Sequence, residues 1–170
     1  MIVEQGDLTD EQWEELAAGE EDPFGVGDLD MQWRPKERYF VLRGPDGRLR
    51  AAAGLVVVDV EAGGETFPVA GVGGVIVSHL HRGQGLARQV LEAALERAET
   101  LGPERAMLFC APHNIALYAR FGFLEIVAPV RAQQPRGEVE MTTTGAAMWR
   151  PLRAGVRWPD GAVRLPGLPF

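Results

Sequence analysis

Apolar residues recur along this chain in two periods, and the change from one to the other sets the expected order of elements. The first signal is helical. Thr9 and Gln12 have capping-box spacing, and Trp13, Leu16 and Ala17 follow on one face, which predicts a short helix over residues 10–19 packed on a sheet through Trp13. A helical turn is expected around Met31 to Lys36. The pattern then becomes strand-like. Tyr39 to Arg43 is a strand, Pro45-Asp46-Gly47 a turn, and Leu49 to Val60 a long β run. Gly63-Gly64 turns the chain into a further strand over Thr66 to Ser78, weakened in its middle by Gly71, Gly73 and Gly74. Leu86, Val90, Leu91, Ala94, Leu95, Ala98 and Leu101 then recur at three- and four-residue spacing until Gly102-Pro103, which predicts the main helix over residues 85–101. Ala106 to Ala111 is a short strand, 114–121 a second short helix closed by Gly122, and Phe123 to Val130 and Val139 to Leu152 are further strands. The expected fold class is α/β, with a strand, helix, strand unit inside an otherwise antiparallel sheet.

Composition narrows the function classes. A chain of 170 residues with 46% hydrophobic and 24% charged residues fits one domain over 1–170, with a Pro-rich extension at 151–170 that is either ordered or a linker. The longest apolar runs fall far short of the roughly 18 residues that a membrane span needs, so no membrane partner is expected. The opening MIVEQGDLTD has no basic region ahead of an apolar stretch, so no targeting signal is read and a cytoplasmic location is expected. Cys110 is the single cysteine and the three histidines are scattered, so neither a disulfide nor a metal site is expected. Residues 1–30 hold eleven Asp and Glu and no Lys or Arg. That front could attract a cationic substrate or be a solvated helix face. Cations elsewhere are scattered, which disfavours nucleic acid as a partner.

The residues richest in chemistry are Val75-Ile-Val-Ser-His-Leu-His-Arg-Gly-Gln-Gly-Leu-Ala87: a strand, a basic glycine-containing loop, then the long helix without interruption. Gly83 and Gly85 leave backbone N–H groups uncovered at a helix N-terminus, where an anion such as a diphosphate is favoured. The loop lacks the Gly-Lys-Ser/Thr ending of a nucleotide-hydrolysing phosphate loop and the third glycine of a dinucleotide fingerprint. A nucleoside triphosphate or NAD therefore fits poorly.

Arg82-x-x-Gly85-x-Ala87 resembles the acyl-CoA motif of the GNAT N-acetyltransferase superfamily, and Asn114-x-x-x-Tyr118-x-x-Phe121-Gly122-Phe123 resembles its second motif. The resemblance covers about residues 37–150. It implies a mixed, mainly antiparallel sheet of six or seven strands, split to admit acyl-CoA, with helices on both faces. It further implies acetyl-CoA as co-substrate and acetyl transfer to a primary amine of a small, cationic acceptor. Two other readings stand beside it: a CoA-binding sensor without turnover, and an enzyme acetylating a protein or peptide amine. A homodimer is the assembly considered.

Carried over residue by residue, the resemblance assigns the backbone of Val75, Ile76 and Val77 to the pantetheine arm, with a bulge at Gly73-Gly74. It assigns the amides of Gly83, Gln84, Gly85, Leu86, Ala87 and Arg88 to the diphosphate, with Arg82 setting the loop. Asn114 is assigned to the far end of the arm. Tyr118 matches the general acid that returns a proton to the CoA thiolate. The base is open, because an alkylammonium of pKa about 10.4 is only about 0.04% neutral at pH 7. Thr66 to Ser78 contains no acid, which leaves Glu65, His79, His81 or a terminal carboxylate at Phe170. An acyl-Cys110 route is conceivable, but a buried, inert thiol is the expectation.

Overall fold

The computed structural model describes residues 1–143 and 145–170, and its contacts gather into two compact units. The first comprises Met1–Met31, Pro35–Val56 and Val72–Arg97, and the second Gln32–Arg34, Val57–Gly71 and Ala98–Phe170. Strands β3 (Leu49–Ala62) and β4 (Glu65–Val77) give residues to both.

In the first unit, β1 (Ile2–Gln5) pairs antiparallel with β2 (Arg38–Arg43), and β2 with β3, where Tyr39 stands opposite Gly54. Helix α1 (Asp10–Ala17) starts at a reciprocal cap: the Gln12 N–H donates to the Thr9 hydroxyl oxygen at 3.3 Å and the Thr9 N–H donates to the Gln12 side chain at 3.0 Å. Two of the four orphan donors of the helix start are satisfied in this way. Leu16 of α1 is fully buried in a cluster with Leu8, Tyr39, Val41, Ala52 and Ile76, against which Trp13 also packs. Tyr39, Phe40, Val41 and Leu42 are buried in succession. Since neighbouring strand residues point to opposite faces, both faces of β2 are covered. The Tyr39 and Val41 face lies under α1. Helix α2 (Leu86–Ala98) buries Val90, Leu91 and Ala94 completely, the stripe its sequence period predicts. The turn expected at Met31 to Lys36 is not helical. The helical turn lies earlier, at Gly27–Leu29, where the Asp22 carboxylate accepts from the N–H groups of Val26 and Gly27. Pro35 disfavours the helical region at Arg34, which explains the difference.

The hydrogen-bonded strand order is β6-β9-β5-β4-β3-β10-β7-β8, with β2 joined to β3 and β1 to β2, which makes ten strands among the described residues rather than six or seven. In the second unit, β5 (Arg105–Cys110) pairs antiparallel with β9 (Ala146–Pro151), and β9 with the two-residue β6 (Leu124–Glu125). β7 (Val130–Gln134) pairs antiparallel with β8 (Gly137–Glu140) and parallel with β10 (Val163–Leu165). Two expected strands are thus divided. Phe123 to Val130 breaks because Pro129 withholds an N–H from the ladder ahead of β7. Val139 to Leu152 breaks into β8 and β9 around a turn at 141–143, and Thr144, within that expected strand, lies outside the described residues. The main helix is also shorter than the expected 85–101, and 112–114 forms a separate single turn before α3 (Ile115–Ala119).

The Pro-rich tail is packed into the second unit. The Gln133 N–H donates to the Gly167 carbonyl at 3.0 Å, and the Arg34 N–H to that of Pro169 at 2.6 Å. The ring of Phe170 is buried, lies 5.3 Å from that of Phe109, and occupies the space over Gly71, where a methyl group would meet it at 2.8 Å. Upstream, Trp158 packs edge-on to Phe67 at 5.4 Å and against Trp149 at 5.6 Å. Phe170→Ala deletes a buried ring packed on Phe109 and over Gly71. It is expected to cost about 3–5 kcal/mol in equilibrium denaturant unfolding; a loss under about 1 kcal/mol would remove Phe170 from the core.

Candidate active site

Strand β4 changes conformation at Gly74, whose φ is +58°. A left-handed glycine within a strand bends it and interrupts its ladder, as a G1 bulge does. The next three residues alternate: Val75 and Val77 are half-buried, while Ile76 points into the α1 cluster. After Ser78 and a single turn at His79–His81 comes an exposed loop, Arg82 to Gly85, that enters α2 directly. Gly83 has φ +78° and Gly85 φ +74°, with open space where a side chain would begin. These two positions need glycine because of the backbone sign, not for want of room. The first-turn N–H groups of α2 have no partner in their own helix, so the loop brings orphan donors, a helix dipole and open volume to one place.

Arg82 braces this loop from outside. Its Nε donates to the Val77 carbonyl at 3.3 Å and its Nη2 forms an ion pair with Glu20 at 2.6 Å. Arg88 reaches one turn along α2 to pair with Glu92 at 2.6 Å. Val75 to Arg88 therefore lie together in the first unit, on one strand, loop and helix.

Asn114, Tyr118 and Phe170 belong to the second unit. Asn114 precedes α3 and is half-buried, and its side chain makes no capping bond. Tyr118 is buried on α3, edge-on to Phe123 at 6.2 Å. Burial pushes its phenol well above the ordinary tyrosine range, and the Cys110 sulfur nearby pushes it further. A phenol so placed stays protonated at neutral pH and is available as an acid. Burial raises the Cys110 thiol to about 11, with a smaller contribution from the Glu125 carboxylate, and its sulfur rests 3.9 Å from that of Met148. The thiol is half-buried rather than buried as expected, and it is held protonated, which makes it a poor nucleophile.

The side chains weighed as bases are dispersed. Glu65 is exposed at the start of β4, His79 is exposed, and His81 is half-buried in the turn before Arg82. Phe170 enters the second unit through its ring, against Phe109 and Gly71. One residue beside the bulge escaped the sequence reading altogether. The ring of Tyr39, the second of two tyrosines, lies against both Gly54 and Gly74. No local motif marks it, because its neighbours are fifteen and thirty-five positions further along the chain.

The chain belongs to the acetyltransferase (GNAT) family, whose model matches residues 6–123. Over 79 residues it is 35% identical to glucosamine 6-phosphate N-acetyltransferase 1 of Oryza sativa subsp. japonica, a match covering 46% of this chain and 47% of that protein. The matched segment thus spans about half the length of this curated relative. A GNAT family N-acetyltransferase from Escherichia coli, solved in complex with CoA, superposes with a TM-score of 0.62 at 20% identity, covering 99% of this chain and 94% of that one. The ribosomal-protein-S18-alanine N-acetyltransferase of Escherichia coli superposes with a TM-score of 0.57 at 20% identity, covering 93% and 100%. These likenesses show the GNAT fold that the two sequence motifs implied.

The raised thiol gives a direct test of the site's electrostatics. With the Cys110 pKa near 11 instead of 9, the thiolate fraction at pH 8 is roughly a hundredfold lower than for an ordinary thiol. Alkylation by iodoacetamide should be correspondingly slow at pH 8 and accelerate as pH approaches 11. Labelling at pH 8 as fast as that of free cysteine would show the thiol to be activated.

Proposed function

We propose that this chain transfers the acetyl group of acetyl-CoA directly to a primary amine of a small cationic acceptor, within a ternary complex. The observation that carries the reading is the Arg82 to Arg88 loop, with two left-handed glycines and uncovered amides at the start of a 13-residue helix. Such a loop suits a diphosphate, and the CoA complex of a protein with the same fold supports the choice of ligand. The pantetheine arm then runs back along Val77, Ile76 and Val75 as an added strand, and Asn114 holds its far end. The neutral amine nitrogen attacks the thioester carbonyl carbon, the C–S bond breaks, Tyr118 supplies the proton that the departing thiolate takes up, and the proton the nitrogen sheds passes to water, from which the Tyr118 phenolate is reprotonated.

The acceptor class follows from charge. The eleven acids of the first thirty residues favour an approaching cation over an anion, so polyamines and aminoglycosides rank above glucosamine 6-phosphate, on which the rice relative acts by name. No nucleic acid or membrane enters the proposal, and the reaction is placed in the cytoplasm. Among the described residues, no helix is long and apolar enough to cross a membrane.

Two variants test the reading. Gly85→Glu places a carboxylate and a left-handed side chain among the diphosphate donors. It is expected to abolish acetyl-CoA binding in calorimetry while the far-ultraviolet circular dichroism stays native; unchanged affinity would remove the loop from the site. Tyr118→Phe deletes one hydroxyl and should lower kcat for CoA release by roughly 10²-fold at unchanged acetyl-CoA affinity, measured with whichever of a polyamine, an aminoglycoside, an amino acid and an N-terminal peptide is turned over fastest. Full activity would give the proton transfer to water or another group, and no release with any amine would favour a sensor.

A further inference from the structure

Tyr39 is built into the first unit with unusual constraint. A methyl group on Gly54, its partner across β2 and β3, would stand 2.8 Å from Tyr39 Cε1, 2.5 Å from Lys36 Cγ and 2.9 Å from the Gly73 carbonyl oxygen. A methyl group on Gly74 would stand 3.1 Å from the same Cε1 and 3.3 Å from the Tyr39 hydroxyl oxygen. The ring is therefore flanked by two glycines, one on each of two further strands, and its third side meets Trp13 edge-on at 5.5 Å. The residue is 95% buried, so its ring is held on all these sides.

The Tyr39 hydroxyl stands beside Gly74, and that position decides what it can reach. On the reading proposed above, the diphosphate lies at the loop that follows Val77 and the arm passes Val77, Ile76 and Val75 in that order. The thioester then comes level with Gly74, where the Tyr39 hydroxyl stands. We infer that Tyr39 is a second hydrogen-bond donor at the reacting end of acyl-CoA, bonded to the thioester carbonyl oxygen. When the amine nitrogen bonds to the carbonyl carbon, the π electron pair moves onto that oxygen; when the pair returns, the C–S bond breaks. Tyr39 keeps its proton throughout, while the thiolate takes its own from Tyr118. Burial, with a smaller push from the Asp7 carboxylate, raises the Tyr39 phenol to about 12, so it is a donor across the working pH range. Trp13, Gly54 and Gly74 fix its ring before substrate arrives, which is the preorganisation an oxyanion donor needs.

The inference rests on acetyl-CoA occupying this site, and the test separates the two. Acetyl-CoA labelled with carbon-13 at the thioester carbonyl is bound to wild-type protein and to Tyr39→Phe, and the carbonyl stretch is read by isotope-edited infrared difference spectroscopy. The wild type should show a band lowered from its position in an apolar solvent, and Tyr39→Phe a band returned towards it. Affinity should fall by no more than about tenfold, the loss of one hydrogen bond, and the thermal midpoint should stay unchanged, because the ring and its packing remain. Under saturating acetyl-CoA, kcat for CoA release should fall by at least tenfold. Gly54→Ala, which keeps the hydroxyl but displaces the ring, should give the same spectral change. An unshifted band in both variants overturns the inference while leaving acetyl-CoA in place; failure of the wild type to bind acetyl-CoA overturns the underlying reading as well.

Discussion

The first unit is organised around an aromatic ring seated where two strands have given up their side chains. Gly54 and Gly74 are both bare because Tyr39 fills what their side chains would need. Each constraint enforces the others. β2 sits opposite β3 through the Tyr39 and Gly54 register, β4 bends at the left-handed Gly74, and α1 is held by Trp13 against the same ring. The bend separates an upstream stretch of β4, buried through Ala70 to Val72, from the half-buried stretch that leads into the phosphate-type loop. A strand whose backbone is to be paired with a ligand must stop pairing with its neighbour somewhere, and a positive-φ glycine is where a chain of L-residues does so at least cost.

Burial treats the acidic protons of this protein alike. Tyr39, Tyr118 and Cys110 are all raised, and in each the first cause is loss of water around the charged form. The consequence differs with the group. A thiol held protonated loses its nucleophilicity, whereas a phenol held protonated keeps the one property asked of an acid or a hydrogen-bond donor. The same environment thus silences Cys110, and on the proposed reading it favours direct transfer over a covalent acyl-cysteine.

What the sequence disclosed was set by how local the physics is. The Thr9 and Gln12 cap, the α2 stripe and the Gly83 and Gly85 loop could all be read, because each rests on spacings under a few residues. The bulge was readable as a glycine pair. The positions of β1 and β10 were not: β1 is four residues with Val3 and Glu4 both exposed in its middle, and β10 is three residues between prolines, so neither has enough period to register. Each becomes a strand by adding to an existing edge, β1 to β2 and β10 between β3 and β7. Tyr39 was invisible for the same reason at longer range, since its surroundings consist of glycines whose significance exists only once three strands are aligned.

Gly71 and Phe170 share one volume, ninety-nine positions apart in the chain. Any side chain at 71 evicts the ring, and loss of the ring leaves a hole over β4 that a larger residue at 71 could fill. The two positions are therefore one inherited trait written in two places. In a diverging lineage, residue 71 can depart from glycine only in company with residue 170, and a graft of the tail onto a related scaffold carries the demand for a bare strand with it.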